Sequence, residues 1–229
     1  MTTSLVDVFD QHCLEGIATA LSENGVCVLP RLLPKVMAES LSDYAKSGQA
    51  KSGHAKSAEG FGYFSAGVGR GDGLQQDKRI RSDEILWIEG RNEFEGLWLA
   101  GMERLQRYLN RHLYLGLCSF ESHFAHYPPG AFYEKHVDAF KGQSNRVVSV
   151  VSYLNPVWQG EWGGELLVYP CEQDTDQTTD ALTAVHRIKP ELGTTVIFLS
   201  ESFPHEVIPA TQDRYSIAGW FRVNNFDLN

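Results

Sequence analysis

The stretch PHEVIPATQDRYSIAGWF, residues 204–221, decides the fold. Residues 205–208 and 215–222 are β-rich, and PATQD between them has turn composition, so the stretch reads as two antiparallel strands joined by a turn. Such a hairpin would bring Arg214 back beside His205. The same texture recurs upstream in residues 119–127, 146–154, 165–169 and 194–199, short apolar or alternating runs separated by turns. Strands of this length and spacing predict a sandwich or barrel, and helices clustered before them predict packing on one face. The expected class is α+β, with a double-stranded β-helix core of jelly-roll or cupin-like type and supporting N-terminal helices.

Those helices are legible from spacing. Val6, Phe9, Cys13, Ile17 and Leu21 recur at intervals of three and four, and the polar run Ser22-Glu23-Asn24-Gly25 then ends the helix. A strand is predicted over 26–29, a second helix over about 35–45, a strand over 84–89, and a third helix over 93–109 through Phe94, Leu97, Trp98, Met102, Leu105 and Leu109. Residues 46–78 shift to Gly, Ser, Ala and Lys, which predicts a mobile loop or open hairpin, and long loops inside domains often carry function. The resulting plan is one domain over 1–229, with helical support in 1–60, a mobile finger loop in 61–83 and the β-helix core in 119–225.

Composition narrows the function. With 229 residues and 42% hydrophobic residues the chain can bury a core of its own. A formal net charge of -9 and a pI near 5.3 disfavour nucleic acid as a partner. Cys13, Cys27, Cys118 and Cys171 form no CxxC pair, which fits neither a disulfide framework nor a zinc ribbon and suits a reducing cytoplasm. No basic-then-apolar leader and no run of membrane-spanning length is present, so a soluble, unprocessed, cytoplasmic monomer is expected.

The chemistry begins at His136 and Asp138. One residue separates them at the end of a strand-like stretch, and strand alternation would send both side chains to one face. His205 begins another strand. Two imidazoles and one carboxylate make the facial triad that leaves three positions open on non-haem iron(II), as oxygen activation with a chelating cosubstrate requires. Arg214, nine residues after His205, would place a guanidinium in the barrel interior, where its planar fork calls for a carboxylate. Tyr153, alternating with Val147, Ser149 and Val151 on one strand face, could donate to the same carboxylate or could serve only as a wall aromatic.

The stretches YPPGAFYEKHVD (127–138), RVVSVVSYLN (146–155), WGGELLVYP (162–170) and 204–221 together resemble the catalytic core of the prolyl hydroxylase-domain family of iron(II)- and 2-oxoglutarate-dependent oxygenases. The resemblance runs from about Gly25 to Arg222. It implies His136, Asp138 and His205 as iron ligands, Arg214 and Tyr153 as the 2-oxoglutarate clamp, and Tyr127, Leu166 and Trp220 as pocket-lining positions. It implies Fe(II), 2-oxoglutarate and O2 as cofactor and cosubstrates, with ascorbate as an optional addition. KRIRSDEILWIEG (78–90) resembles the family segment after a mobile finger, where Arg81 and Asp83 match substrate-contacting or loop-ordering positions. Arg146 matches another substrate contact. The resemblance to the bacterial branch implies C4 hydroxylation of a prolyl residue in an exposed protein loop, with elongation factor Tu as the candidate. Ala218 departs from the pattern, since animal oxygen sensors carry a hydroxyl residue there.

Other readings compete: a hydroxylase of free proline or another small molecule, and a non-enzymatic metal-binding barrel that senses oxygen or a metabolite. Trp220 stands where similar nucleic-acid demethylases carry a further arginine, and the Asp138 carboxylate disfavours a halogenase. His123 and His126 read as core or surface residues, because their spacing is wrong for one strand face. The acidic run 171–180 reads as a solvated loop, and Gly163-Gly164 as a tight turn.

Overall fold

Strand alternation along one central strand organises the whole molecule, in which the computed structural model describes residues 9–47, 62–67, 79–139, 145–170 and 186–224. In chain order the strands are β1 (Val26–Leu29), β2 (Phe64–Ser65), β3 (Glu84–Trp87), β4 (Ser119–Tyr127), β5 (Tyr133–His136), β6 (Arg146–Tyr153), β7 (Leu166–Val168), β8 (His186–Ile188), β9 (Thr195–Leu199), β10 (His205–Val207) and β11 (Arg214–Arg222). They form an antiparallel sheet of order β1-β9-β6-β11-β4-β3-β2 and a second of order β5-β10-β7-β8. Strand β11 pairs with β4 along its full length, from Arg214 opposite Tyr127 to Arg222 opposite Ser119, and with β6 on its other edge. Its alternation divides two environments: Tyr215, Ile217 and Phe221 enter the helix-side core, while Arg214, Ser216, Ala218 and Trp220 line a cavity between the sheets.

Among the described residues, three long helices cover the large sheet's outer face. Helix α1 (Gln11–Asn24) starts where the Asp10 carboxylate accepts from the Cys13 amide at 2.7 Å. It stops at Gly25, whose φ of 69° suits glycine and whose added Cβ would lie 2.7 Å from the Phe203 ring. The periodicity that predicts this helix is borne out for Ile17 and Leu21, while Val6 lies outside the described residues. Helix α2 (Lys35–Lys46) follows Pro34, and α3 (Glu93–Leu113) is capped by Asn92 and closes on Tyr114 in left-handed conformation. Trp98, Met102, Leu105 and Leu109 of α3 are fully buried, each contributing about 1.5–3 kcal/mol of apolar burial. Among the described residues no helix is long and apolar enough to cross a membrane.

Three expectations change. Strands β10 and β11 are not a hairpin: β10 pairs with β5 and β7, β11 with β4 and β6, and residues 208–213 cross from one sheet to the other. Each strand has both edges occupied, so neither has hydrogen bonds left for the other. In β6 the register slips, with Val148 opposite Phe221 but Arg146 opposite Arg222. Val147 is the extra residue of this bulge and packs against the helix-side core, off the face it would share with Ser149 and Val151. Finally, β2 and β8 are strands the pattern does not reveal, since two or three residues are too few to show a period.

The described ends of the finger segment pair with each other: Phe64 lies opposite Ile85, and the Ala66 amide donates to the Asp83 carbonyl. The rest of it, including Gly69, Gly71 and Gly73, lies outside the described residues, as does the acidic run 171–180.

Candidate metal centre

His136 ends β5, Asp138 follows just beyond that strand, and His205 begins β10, directly opposite His136 in register. The small sheet thus supplies the two imidazoles side by side. One ligand atom from each of the three residues lies within 4.8 Å of the others, a spacing that one metal ion can bridge. His136 Nε2 is 3.8 Å from Asp138 Oδ1, and His205 Nε2 is 3.6 Å from Asp138 Oδ2. The remaining nitrogens are tied back: His136 Nδ1 lies 2.7 Å from the Glu134 carbonyl and His205 Nδ1 3.0 Å from that of Phe203. A carbonyl can only accept, so both Nδ1 atoms carry a proton and both Nε2 atoms face the cluster, the orientation in which Nε2 serves a metal.

Electrostatics agree. Burial, with His205 nearby, pushes His136 down to about 3, so its ring is neutral and able to ligate. Burial alone would raise the Asp138 carboxyl, but the neighbouring imidazoles and the Ser149 hydroxyl outweigh it and hold the group below the usual carboxylate range. Ser149 Oγ donates to Asp138 Oδ2 at 2.6 Å and is itself 2.8 Å from Ser200 Oγ. Removing the donor in Ser149→Ala should weaken metal binding about 10- to 100-fold while leaving the melting temperature of the metal-free protein nearly unchanged. Metal titration followed by calorimetry checks this, and unaltered affinity would show that Ser149 does not orient the ligand.

At the other end of the same cavity Arg214 is 1% exposed. Its Nε donates to the Gly164 carbonyl at 2.8 Å, its Nη1 reaches Ser216 Oγ at 3.4 Å, and Tyr127 and Tyr153 flank it, ring centres 4.8 and 5.1 Å from Cζ. It has no carboxylate partner among the described residues. The Tyr153 hydroxyl beside it is buried without a partner, and burial, partly opposed by Arg214, pushes it up to about 12, so it remains a donor. A buried cation and an orphaned buried hydroxyl side by side fit a carboxylate as their missing acceptor.

Gly164 deserves its left-handed φ of 74°: an added Cβ would meet Ala210 and Trp158 at 2.9 Å and Arg214 Cδ at 3.4 Å. The sequence predicts the Gly163-Gly164 pair as a tight turn, but Gly163 instead follows a short 3-10 segment (Gly160–Trp162) and bridges antiparallel to Ala210, while Gly164 supplies the carbonyl that fixes Arg214. Gly164→Ala should cost about 2 kcal/mol or more, from left-handed strain plus overpacking. Urea unfolding measures it, and a loss below about 0.5 kcal/mol would contradict the crowding.

A metal-ready triad at one end of a cavity and a carboxylate-ready arginine at the other now stand beside known proteins. Residues 122–222 match the 2OG-Fe(II) oxygenase superfamily. A Pseudomonas putida prolyl-4-hydroxylase of known crystal structure is 33% identical, with 93% of this chain and 100% of that one covered and a TM-score of 0.76. The chain belongs to the prolyl hydroxylase family of 2OG-Fe(II) oxygenases. Human Egl nine homolog 1 is 31% identical over 216 residues, covering 91% of this chain and 46% of that protein. The chain spans about half the length of the curated relatives it matches. A Trichoplax adhaerens prolyl hydroxylase, solved with a hypoxia inducible factor peptide fragment, is 26% identical over 92% of this chain and 89% of that one, with a TM-score of 0.73. The two-sheet core is the double-stranded β-helix of these relatives. The family uses Fe(II), 2-oxoglutarate and O2, and the donor set here, two imidazoles and one carboxylate with ligand atoms within 4.8 Å of one another, is one that would hold that iron.

Leu166, Tyr127 and Trp220 line the cavity, as do Arg81 and Arg146. Arg81 stacks over Tyr133, 4.3 Å from its centre, and Tyr133 stacks on the His136 ring at 3.5 Å. Asp83 does not reach the cavity; it is 2% exposed and grips Arg81 through two bonds of 2.8 and 2.6 Å, which favours the loop-ordering role over direct contact. Arg146 lies over Trp220 at 3.6 Å and bonds Glu121, which also holds Arg222.

Sequence reasoning missed Ser149 as the donor to Asp138, although it had named that strand face, and missed Tyr133, whose signal was its place three residues before His136. It set His123 aside, yet His123 lines the cavity. His126 lies elsewhere, bridging Glu84 at 3.2 Å and Asp213 at 2.6 Å.

Proposed function

We propose that this chain hydroxylates a prolyl residue of a protein, at C4, consuming 2-oxoglutarate and oxygen, with His136, Asp138 and His205 holding iron. One observation carries the reading: the triad and a buried arginine lacking any carboxylate partner among the described residues share one cavity. Bound iron, with 2-oxoglutarate and oxygen, would supply the oxidising power that replaces a prolyl C–H hydrogen by hydroxyl, with succinate and carbon dioxide released. The chain's own part is placement. Arg214 takes the distal carboxylate bidentately and Tyr153 adds a hydrogen bond, so the cosubstrate lies with its 2-oxo acid end toward the triad. Leu166, Val207 and Ala125 line the space between and limit water there.

A protein substrate is supported by the peptide-bound Trichoplax relative, and by the two arginines, Arg81 and Arg146, at the triad's end of the cavity. Elongation factor Tu is the candidate target, on the resemblance of the sequence blocks to the family's bacterial branch. Incubating it with the chain, iron, 2-oxoglutarate and ascorbate should make one of its prolines heavier by a single oxygen atom in peptide mass spectra and should accelerate succinate formation. Succinate formation without any modified proline would remove this target, and efficient hydroxylation of free proline would shift the reading to a small-molecule oxygenase.

A further inference from the structure

One histidine of the cavity has no task in the chemistry above. His123 lies on β4, 3% exposed, between two indoles: Trp87 meets it edge-on at 5.2 Å and Trp220 is tilted against it at 5.4 Å. Its cross-strand neighbour on β11 is Ala218, whose own neighbour on β6 is Val151, so its row of the cavity floor holds no other polar side chain. Nδ1 is buried without a partner, and neither ring nitrogen makes a hydrogen bond to a described residue. Methionine or leucine would fill the slot without leaving polar atoms unmet, so packing alone does not account for an imidazole here.

The ring's state follows from its surroundings. Burial and the nearby Arg81 and Arg146 keep it neutral, pushed down to about 3. Of its two nitrogens, the fully buried Nδ1 is better left as an unmet acceptor than as an unmet N–H, since orphaned buried donors are the rarer and costlier kind. The proton then sits on Nε2, the outer nitrogen of a ring that lines the cavity. The next row of the floor pairs Trp220 with Ser149, and Ser149 holds Asp138, so His123 sits at the triad's end. Along β11, Ala218 is four residues from Arg214, about 13 Å of strand. A five-carbon dicarboxylate with a hydrogen bond of about 3 Å at each end spans a distance of that order.

We propose that His123 is a positioning residue that donates a hydrogen bond to an oxygen at the 2-oxo acid end of the cosubstrate, opposite the end held by Arg214. The proposal rests on the chain being a 2-oxoglutarate enzyme. The test is calorimetric titration of 2-oxoglutarate into the full chain loaded with manganese(II), which needs no turnover, for wild type, His123→Met and His123→Gln. His123→Met should bind about 10-fold or more weakly, and His123→Gln, which keeps an N–H, should recover to within about 3-fold of wild type. Both variants should melt no lower than wild type, and His123→Leu takes the place of His123→Met should the latter not fold. Unchanged affinity in the apolar variant overturns the proposal, as does equal loss in both variants, or a change confined to the KM of a peptide substrate. Failure of wild type itself to bind 2-oxoglutarate would instead overturn the reading of the reaction.

Discussion

Asp138→Ala should reduce 2-oxoglutarate turnover below detection while leaving a folded protein. The carboxylate contributes the only anion of the triad, and two imidazoles alone hold a hard divalent ion poorly. Its side chain belongs to neither hydrophobic cluster, so the cores on both sides of the large sheet stay intact without it. In the metal-free protein the substitution removes a buried, ionised carboxylate together with the interactions with the neighbouring imidazoles and the Ser149 hydroxyl that offset its desolvation, and the expected change in unfolding free energy is within about 1 kcal/mol. The contrast appears on adding metal. Wild type should gain about 2.7 kcal/mol at a metal concentration one hundred times the dissociation constant, and the variant should gain almost nothing. Thermal melts with and without manganese(II), alongside a succinate assay, decide it. Near wild-type turnover, or a metal-induced gain that survives, would remove Asp138 from the centre.

Much of this arrangement is legible in sequence because it rests on periodicity within single elements. The helices announce themselves by intervals of three and four, and β11 alternates Arg214, Ser216, Ala218 and Trp220 against Tyr215, Ile217 and Phe221, so two faces can be read off one strand. His136 is legible as the end of a strand and Asp138 by its one-residue spacing from it, although β5 stops at His136 and strand alternation does not extend to Asp138. What sequence cannot show is which edges pair. The 208–213 connection looks like a hairpin turn, but the hydrogen bonds of β10 are taken by β5 and β7, whose residues lie far away in the chain. Arg214 and His205 still share a cavity, though by facing each other across two sheets and not along one ladder. The bulge at Val147 is equally invisible, since one inserted residue reverses the face of everything beyond it, and only the partner strand reveals the slip. Supporting contacts such as Ser149 on Asp138 and the Gly164 carbonyl on Arg214 depend on those pairings, so they become visible only with the tertiary structure.

Arg214→Ala should raise the 2-oxoglutarate concentration needed for half-maximal turnover by about 30- to 700-fold, the equivalent of losing 2–4 kcal/mol of charge-assisted, bidentate bonding in a buried site. The guanidinium is 1% exposed, and its only hydrogen bonds to described residues are neutral, to the Gly164 carbonyl and the Ser216 hydroxyl. Burying a cation so incompletely compensated is costly, and a ligand carboxylate would relieve that cost on binding, which is why the affinity change should be large. Arg214→Lys should not restore it: one ammonium cannot reproduce the planar fork, and the shorter donor loses its bond to Gly164. Metal affinity should stay near wild type, because the triad draws its ligands from the small sheet and the segment just after β5. That separation is what makes the experiment informative. A variant that loses metal and cosubstrate together would mean that Arg214 shapes the whole cavity, and an unchanged 2-oxoglutarate requirement would place the carboxylate anchor on another residue.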